Sequence, residues 1–115
     1  ENQAFISGLV GIHQFVRIGR NSMIGGMAGV NQDVLPFSMV EGRPARLLSI
    51  NAVGLNRANF KPNVRAAIKK AFKIISQPDL NTSQSLEKIR SEVEMHDEIN
   101  HLLDFIKNST RGVTK

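Results

Sequence analysis

Three histidines, His13, His96 and His101, are the side chains of this sequence whose ordinary titration range lies near neutral pH, so they are the first candidates for general-base work. His13 stands beside Gln14 in a glycine-rich stretch, where a lone histidine is more often structural than catalytic. His96 and His101 fall in a polar, helical-looking tail and read as surface residues. Cysteine is absent, which excludes a disulfide framework, a zinc–thiolate site, a thiol nucleophile and an iron–sulfur centre. Neither metal nor cofactor is expected. The remaining chemical signal is charge. Residues 51–80 carry six bases against Asp79 alone, whereas the flanking segments are nearly balanced, so the net charge of +5 is one local patch. Arg65, Lys69 and Lys73 recur every four residues, with Lys61 just before them, and so share one helical face. Such a row is usually a solvated face, and its sharper reading is a dock for an acidic partner. Nucleic acid is disfavoured, because no exposed aromatic is evidently interleaved with the bases and no recognised binding motif appears.

The elements that must hold these groups begin with a repeat. Every sixth residue from Ile6 is aliphatic: Ile6, Ile12, Ile18, Ile24 and Val30. Two residues earlier stand Ala4, Val10, Val16, Ser22 and Ala28, also small or aliphatic. Just after each come Ser7, His13, Gly19, Gly25 and Asn31, several of which tolerate left-handed backbone. A period of six belongs to neither helix nor strand. It fits a left-handed parallel β-helix in which each hexad forms one side of a triangular coil, the aliphatic residue points inward, and the next residue sits at or near the corner. Three hexads complete one turn. The alternative, a β-meander, would alternate with a period of two. Stacked repeats need about three units to bury a continuous core, so these hexads are expected to extend upstream of Glu1 or to lean on other chains.

The pattern stops after Asp33, at Leu35-Pro36-Phe37, and passes through Gly42-Arg43-Pro44-Ala45-Arg46 into helical periods. The expected division is residues 1–48, the end of the coil and a connecting loop, and residues 49–115, a helical bundle. A short helix is expected over Ser49 to Asn56. The next starts at Pro62, buries Val64, Ala67, Ile68, Ala71, Phe72 and Ile75, and ends before Pro78. A third runs from a Ser85 cap to Glu94 with Leu86, Ile89 and Val93 inward. A fourth, capped by Asp97, buries Ile99, Leu102, Leu103 and Ile106 and stops at Gly112. No apolar run approaches the roughly 20 residues that cross a bilayer, and the start shows no export signal. A cytoplasmic domain is expected.

Gly11-Ile12-His13-Gln14-Phe15, Ile24-Gly25-Gly26-Met27, Asn51 through Gly54-Leu55 to Arg57, and Ser109-Thr110-Arg111-Gly112 occur in that order. With the hexads and the helical tail, this set resembles the C-terminal part of the UDP-N-acetylglucosamine O-acyltransferases of lipid A biosynthesis. The resemblance implies a homotrimer that moves an (R)-3-hydroxyacyl group from acyl carrier protein to the 3-position of the sugar nucleotide. It implies that the catalytic histidine lies in an earlier coil, before Glu1, so that this polypeptide alone is inactive. His13, Gln14, Asn51 and Arg57 then correspond to substrate-binding positions, with the arginine gripping phosphate. Gly26 corresponds to the acyl-chain ruler, and Arg65, Lys69 and Lys73 would meet the acidic carrier protein. Val53 stands where an acid is frequent and Ala58 where a second base often follows, which leaves a 3-amino acceptor open. Two other classes remain: a hexapeptide transferase using acetyl-CoA, favoured by the Gly42 to Arg46 segment, and a non-catalytic trimeric scaffold or basic binding module.

Overall fold

Parallel pairing between residues eighteen apart organises the first part of the chain, as three six-residue sides per turn require. The computed structural model describes residues 3–6, 8, 11–12 and 14–115. Strand β1 (Phe5–Ile6) pairs with β3 (Met23–Ile24), and β2 (Gly11–Ile12) with β4 (Gly29–Val30), both in parallel and both at that offset. Within the aliphatic file Ile24 and Val30 are at or below 1% exposure and Ile18 packs half-buried against their cluster, while Ile6 and Ile12 stay exposed at 47% and 39%.

The coil continues past Asp33, where the hexads had suggested that it ends. Strand β5 (Ser38–Glu41) stacks in parallel on β3, and Ile18 bridges Val34, but these partners are sixteen residues apart. Two residues are dropped from the last turn, so Val34 and Val40 fill the interior while falling out of the count of six. The corners also differ from the expectation. Among the described residues of the coil, left-handed backbone occurs at Gln3, Phe15, Asn21 and Met27, and again at Phe37, rather than at Gly19, Gly25 or Asn31. Gly19 and Gly25 are small for another reason: a Cβ at Gly19 would lie 2.6 Å from Pro36 Cα, and one at Gly25 would lie 3.1 Å from Glu41 Cβ. The next turn presses on them.

After the turn at Gly42 the chain reverses. Strand β6 (Arg46–Ile50) runs antiparallel to β5 with a bulge opposite Met39/Val40, completing a sheet in the order β1-β3-β5-β6. Helix α1 (Ala52–Arg57) follows directly, capped by Asn51. Helix α2 (Pro62–Ile75) buries the expected apolar face and adds Ile74 to it. Helix α3 (Thr82–Glu92) starts earlier than expected: Asn81 caps it in a reciprocal box with Gln84, and Ser85 is buried one turn in. Helix α4 (Asp97–Lys107) has His96 at its cap position, with Asp97 inside the first turn, and buries Ile99, Leu102, Leu103 and Ile106 together with Phe105. It closes at Asn108. Gly112, left-handed at φ 82°, instead shapes the tail that returns to the coil. Helix α2 packs on both α3 and α4, and their core takes in Leu35 and Phe37 from the last turn of the coil. A second cluster fills the coil, and Leu47 touches both.

The tail is fixed by Asp33, which is 2% exposed. Its carboxylate accepts from the Arg17 N–H at 2.8 Å and the Ser109 hydroxyl at 2.7 Å. Its own N–H donates to the Gly112 carbonyl at 3.0 Å, and its carbonyl accepts from the Thr114 N–H at 2.7 Å. Arg17 then lays its guanidinium 4.3 Å from the Phe105 ring centroid, joining the coil to α4.

Candidate substrate cleft

In a strand, residues directly before an inward side chain point outward, where water usually selects polar types. On one side of this coil they are apolar. Phe5, Met23 and Met39 precede Ile6, Ile24 and Val40, and the register Phe5↔Met23↔Met39 sets them in one row across β1, β3 and β5, with Ser49 of β6 next in line. Helix α1 stands beside this row. Between them lies a cavity of about 680 Å³, floored by Phe5, Met23, Met39 and Ile50 and walled by Asn21, Asn51 and Arg57. Its form is an apolar floor with a polar wall on which Arg57 is the one cation among the described residues.

The wall is built by local geometry. Asn21 is a left-handed corner at φ 53°, a conformation that asparagine tolerates better than most residues. It is 4% exposed, its amide donates to Gln3 Oε1 at 2.8 Å, and its Oδ1 accepts from Arg20 Nε at 3.3 Å. Asn51 is 7% exposed and donates from Nδ2 to the Asn21 carbonyl at 2.9 Å, while its Oδ1 caps the Gly54 N–H at 3.1 Å. A side chain at Gly54 would overlap that amide, since its Cβ would lie 2.8 Å from Asn51 Cγ. Arg57 is exposed in the last turn of α1, with no acidic partner found for it among the described residues. Val53 exposes 61% of its surface at the mouth.

The structure therefore brings Asn51 and Arg57 into one cavity. Gln14 and Gly26 are exposed on the coil outside its lining, and His13 lies outside the described residues. Arg65 is half-buried, with Nε shielded from solvent and unbonded, whereas Lys69 and Lys73 are exposed farther along α2. Neither tail histidine is the plain surface residue that the sequence suggested. His96 is half-buried with Nε2 2.8 Å from Glu94 Oε1, an ion-pair distance without hydrogen-bond alignment, and His101 packs edge-on to Phe37 at 6.2 Å. Among the described lining residues of the cavity there is no histidine, aspartate or glutamate. The outward Phe5, Met23 and Met39 escaped the sequence reading. Their signal was apolar character one position ahead of every third inward aliphatic residue.

Fold and cleft together define a parallel β coil closed by helices, with a groove at the junction. A family model described as UDP N-acetylglucosamine O-acyltransferase, domain 2, matches residues 33–114. The acyl-[acyl-carrier-protein]–UDP-N-acetylglucosamine O-acyltransferase of Gloeothece citriformis is 44% identical over 110 residues, which are 96% of this chain and 40% of that protein. The protein of the same name from Anaeromyxobacter sp. is 36% identical over 115 residues, covering 100% of this chain and 45% of that one. The crystal structure of a UDP-N-acetylglucosamine acyltransferase from Bacteroides fragilis superposes with a TM-score of 0.95 at 38% identity, over 100% of this chain and 45% of that one. The chain belongs to the UDP-N-acetylglucosamine O-acyltransferase family. It spans less than half the length of these relatives.

Proposed function

We propose that this chain is part of an acyltransferase that moves an (R)-3-hydroxyacyl group from acyl carrier protein to the 3-position of UDP-N-acetylglucosamine in lipid A biosynthesis. The observation that carries this reading is the cavity in which Arg57 and Asn51 stand over the apolar row Phe5, Met23 and Met39. A guanidinium with no acidic partner among the described residues suits a phosphate, which it holds by paired, charge-assisted hydrogen bonds. The apolar floor suits carbon-rich parts of a substrate. In the transfer, a general base takes the proton of the sugar hydroxyl while its oxygen attacks the thioester carbonyl. The C–O bond forms, the C–S bond breaks, and the proton ends on the departing thiol. A general base typically contributes on the order of 10² to 10⁴ in rate, and this reading places the base histidine in an earlier coil, so that the 115-residue polypeptide by itself is inactive.

The same reading takes the coil as left-handed, residues 1–48 as its end and 49–115 as a helical domain, and the working form as a cytoplasmic homotrimer. In such a trimer the substrate cleft lies between adjacent coils, where His13 and Gln14 of one protomer serve it, Gly26 leaves room for the distal acyl chain, and Arg65, Lys69 and Lys73 receive the acidic carrier. The complete protein tests it. Given UDP-N-acetylglucosamine with either a hydroxyacyl carrier-protein thioester or acetyl-CoA, it should yield the acylated sugar nucleotide only from the carrier. Arg57→Ala should raise the sugar-nucleotide KM by roughly 10- to 100-fold, the worth of hydrogen bonds to a charged group. Transfer from acetyl-CoA, or from neither donor, would overturn the assignment.

A further inference from the structure

Asn51 lies on the cavity wall, but its polar atoms are already engaged inside the protein. Its N–H donates to the Phe37 carbonyl at 2.7 Å and its carbonyl accepts from the Leu55 N–H at 2.9 Å. The side chain bridges two elements, with Nδ2 on the Asn21 carbonyl and Oδ1 on the Gly54 N–H. A carbonyl on one side and an N–H on the other fix which way the amide faces. Both ends are buried, at 7% for Asn51 and 4% for Asn21. Helix α1 is only six residues long, too short to hold its shape unaided, because helix nucleation is costly. Arg57 is its last residue. The position of that guanidinium over the Phe5, Met23 and Met39 floor therefore depends on how the first turn is anchored.

We propose that Asn51 is a positioning residue: its amide braces the first turn of α1 against the coil corner at Asn21 and so holds Arg57 at the cavity wall, without itself gripping the substrate. Asparagine suits this task because it offers a donor and an acceptor from one short planar group. Aspartate would keep the cap but set an oxygen against the Asn21 carbonyl. Serine would keep a capping hydroxyl but fall short of that carbonyl. Asn21 contributes its left-handed corner, which aims the carbonyl, and its own amide ties that corner to Gln3 and Arg20.

The inference rests on the proposed role of Arg57, and its test separates the two. Sugar-nucleotide affinity is measured calorimetrically with UDP-N-acetylglucosamine on the complete protein, for Asn51→Asp and Asn51→Ser, each with Arg57 present and with Arg57→Ala. Either variant should weaken binding roughly tenfold when Arg57 is present and by less than about twofold when it is absent, since contacts that act through one group are not additive. Equal losses in both backgrounds would overturn the proposal, because a direct substrate contact or a general loss of folded protein would act regardless of Arg57. Hydrogen exchange of the amides of residues 54–57, followed without substrate, should speed up in both Asn51 variants. Unchanged exchange would also overturn it. Wild-type affinity in Arg57→Ala alone would overturn the phosphate role of Arg57 and the route through it, while the exchange rates would still report on the brace.

Discussion

Replacing glycine by alanine inside a helix ordinarily stabilises a protein by about 1 kcal/mol, yet Gly54→Ala should do the reverse here. The new methyl group would occupy the space of the Asn51 amide, overlapping Nδ2 and approaching Cγ to 2.8 Å, so the amide must swing away. Its departure removes the cap on the Gly54 N–H, about 1 kcal/mol, and strips the buried Asn21 carbonyl of its donor, about 1–3 kcal/mol. Set against the gain in helix propensity, the balance is a loss of about 1–3 kcal/mol. The reasoning can be isolated by truncating the amide first. In an Asn51→Ala background the same methyl meets no amide, and Gly54→Ala should then stabilise by about 0.5–1 kcal/mol. The two substitutions should therefore couple by about 1.5–4 kcal/mol, read from equilibrium urea unfolding or calorimetric melting of the complete protein. An equal effect of Gly54→Ala in both backgrounds, whatever its sign, would refute the account of why glycine stands at this position.

Asp33→Ala should cost about 3 kcal/mol, because the Arg17 N–H and the Ser109 hydroxyl lose a charged acceptor inside the protein. Limited proteolysis should then cut within residues 108–115 sooner, whereas a native melting temperature and cleavage rate would show that the tail is held by other contacts. Gly26→Met in the complete enzyme should shift donor preference to shorter acyl chains, since each methylene removed from burial forfeits ~0.8 kcal/mol; unaltered selectivity across a donor series would remove the ruler role. Lys69→Glu with Lys73→Glu should weaken carrier-protein affinity, most strongly at low ionic strength. Affinity that ignores both the charge reversal and added salt would place the carrier elsewhere.

The period of six is visible in the sequence because inward positions in a coil of constant pitch recur at constant spacing, and the parallel pairings of Phe5 with Met23 and Gly11 with Gly29 reflect that pitch directly. The end of the coil is not visible, because the offset falls to sixteen and Val34 and Val40 no longer keep step with Val30. Corner positions were misplaced because glycine has two uses: Gly19 and Gly25 accommodate the neighbouring turn, while Phe15, Asn21 and Met27 take the left-handed backbone. The α2 face was legible from its spacing alone. The α3 cap was overlooked although Asn81 and Gln84 carry the capping-box spacing. At the cleft, Asn51 and Arg57 came from motif order. The Phe5, Met23 and Met39 floor emerges only when the strands are set in register, which requires knowing the turn length. Asp33 looked like the point where a pattern ran out, and its four hydrogen-bonding links depend on partners as much as 81 residues further along the chain.

The two residues missing from the final turn bear on solubility. A prism of identical parallel layers ends in a row of free amides and carbonyls onto which another prism could add, as in a growing fibril. Here the last layer is cut short, and the following strand, β6, comes back against it with reversed direction and a bulge. An incoming parallel strand on that side of the sheet would find the position beside β5 filled. Length control at this end is thus written into the backbone, so restoring two residues before β5 should be judged by light scattering as well as by activity.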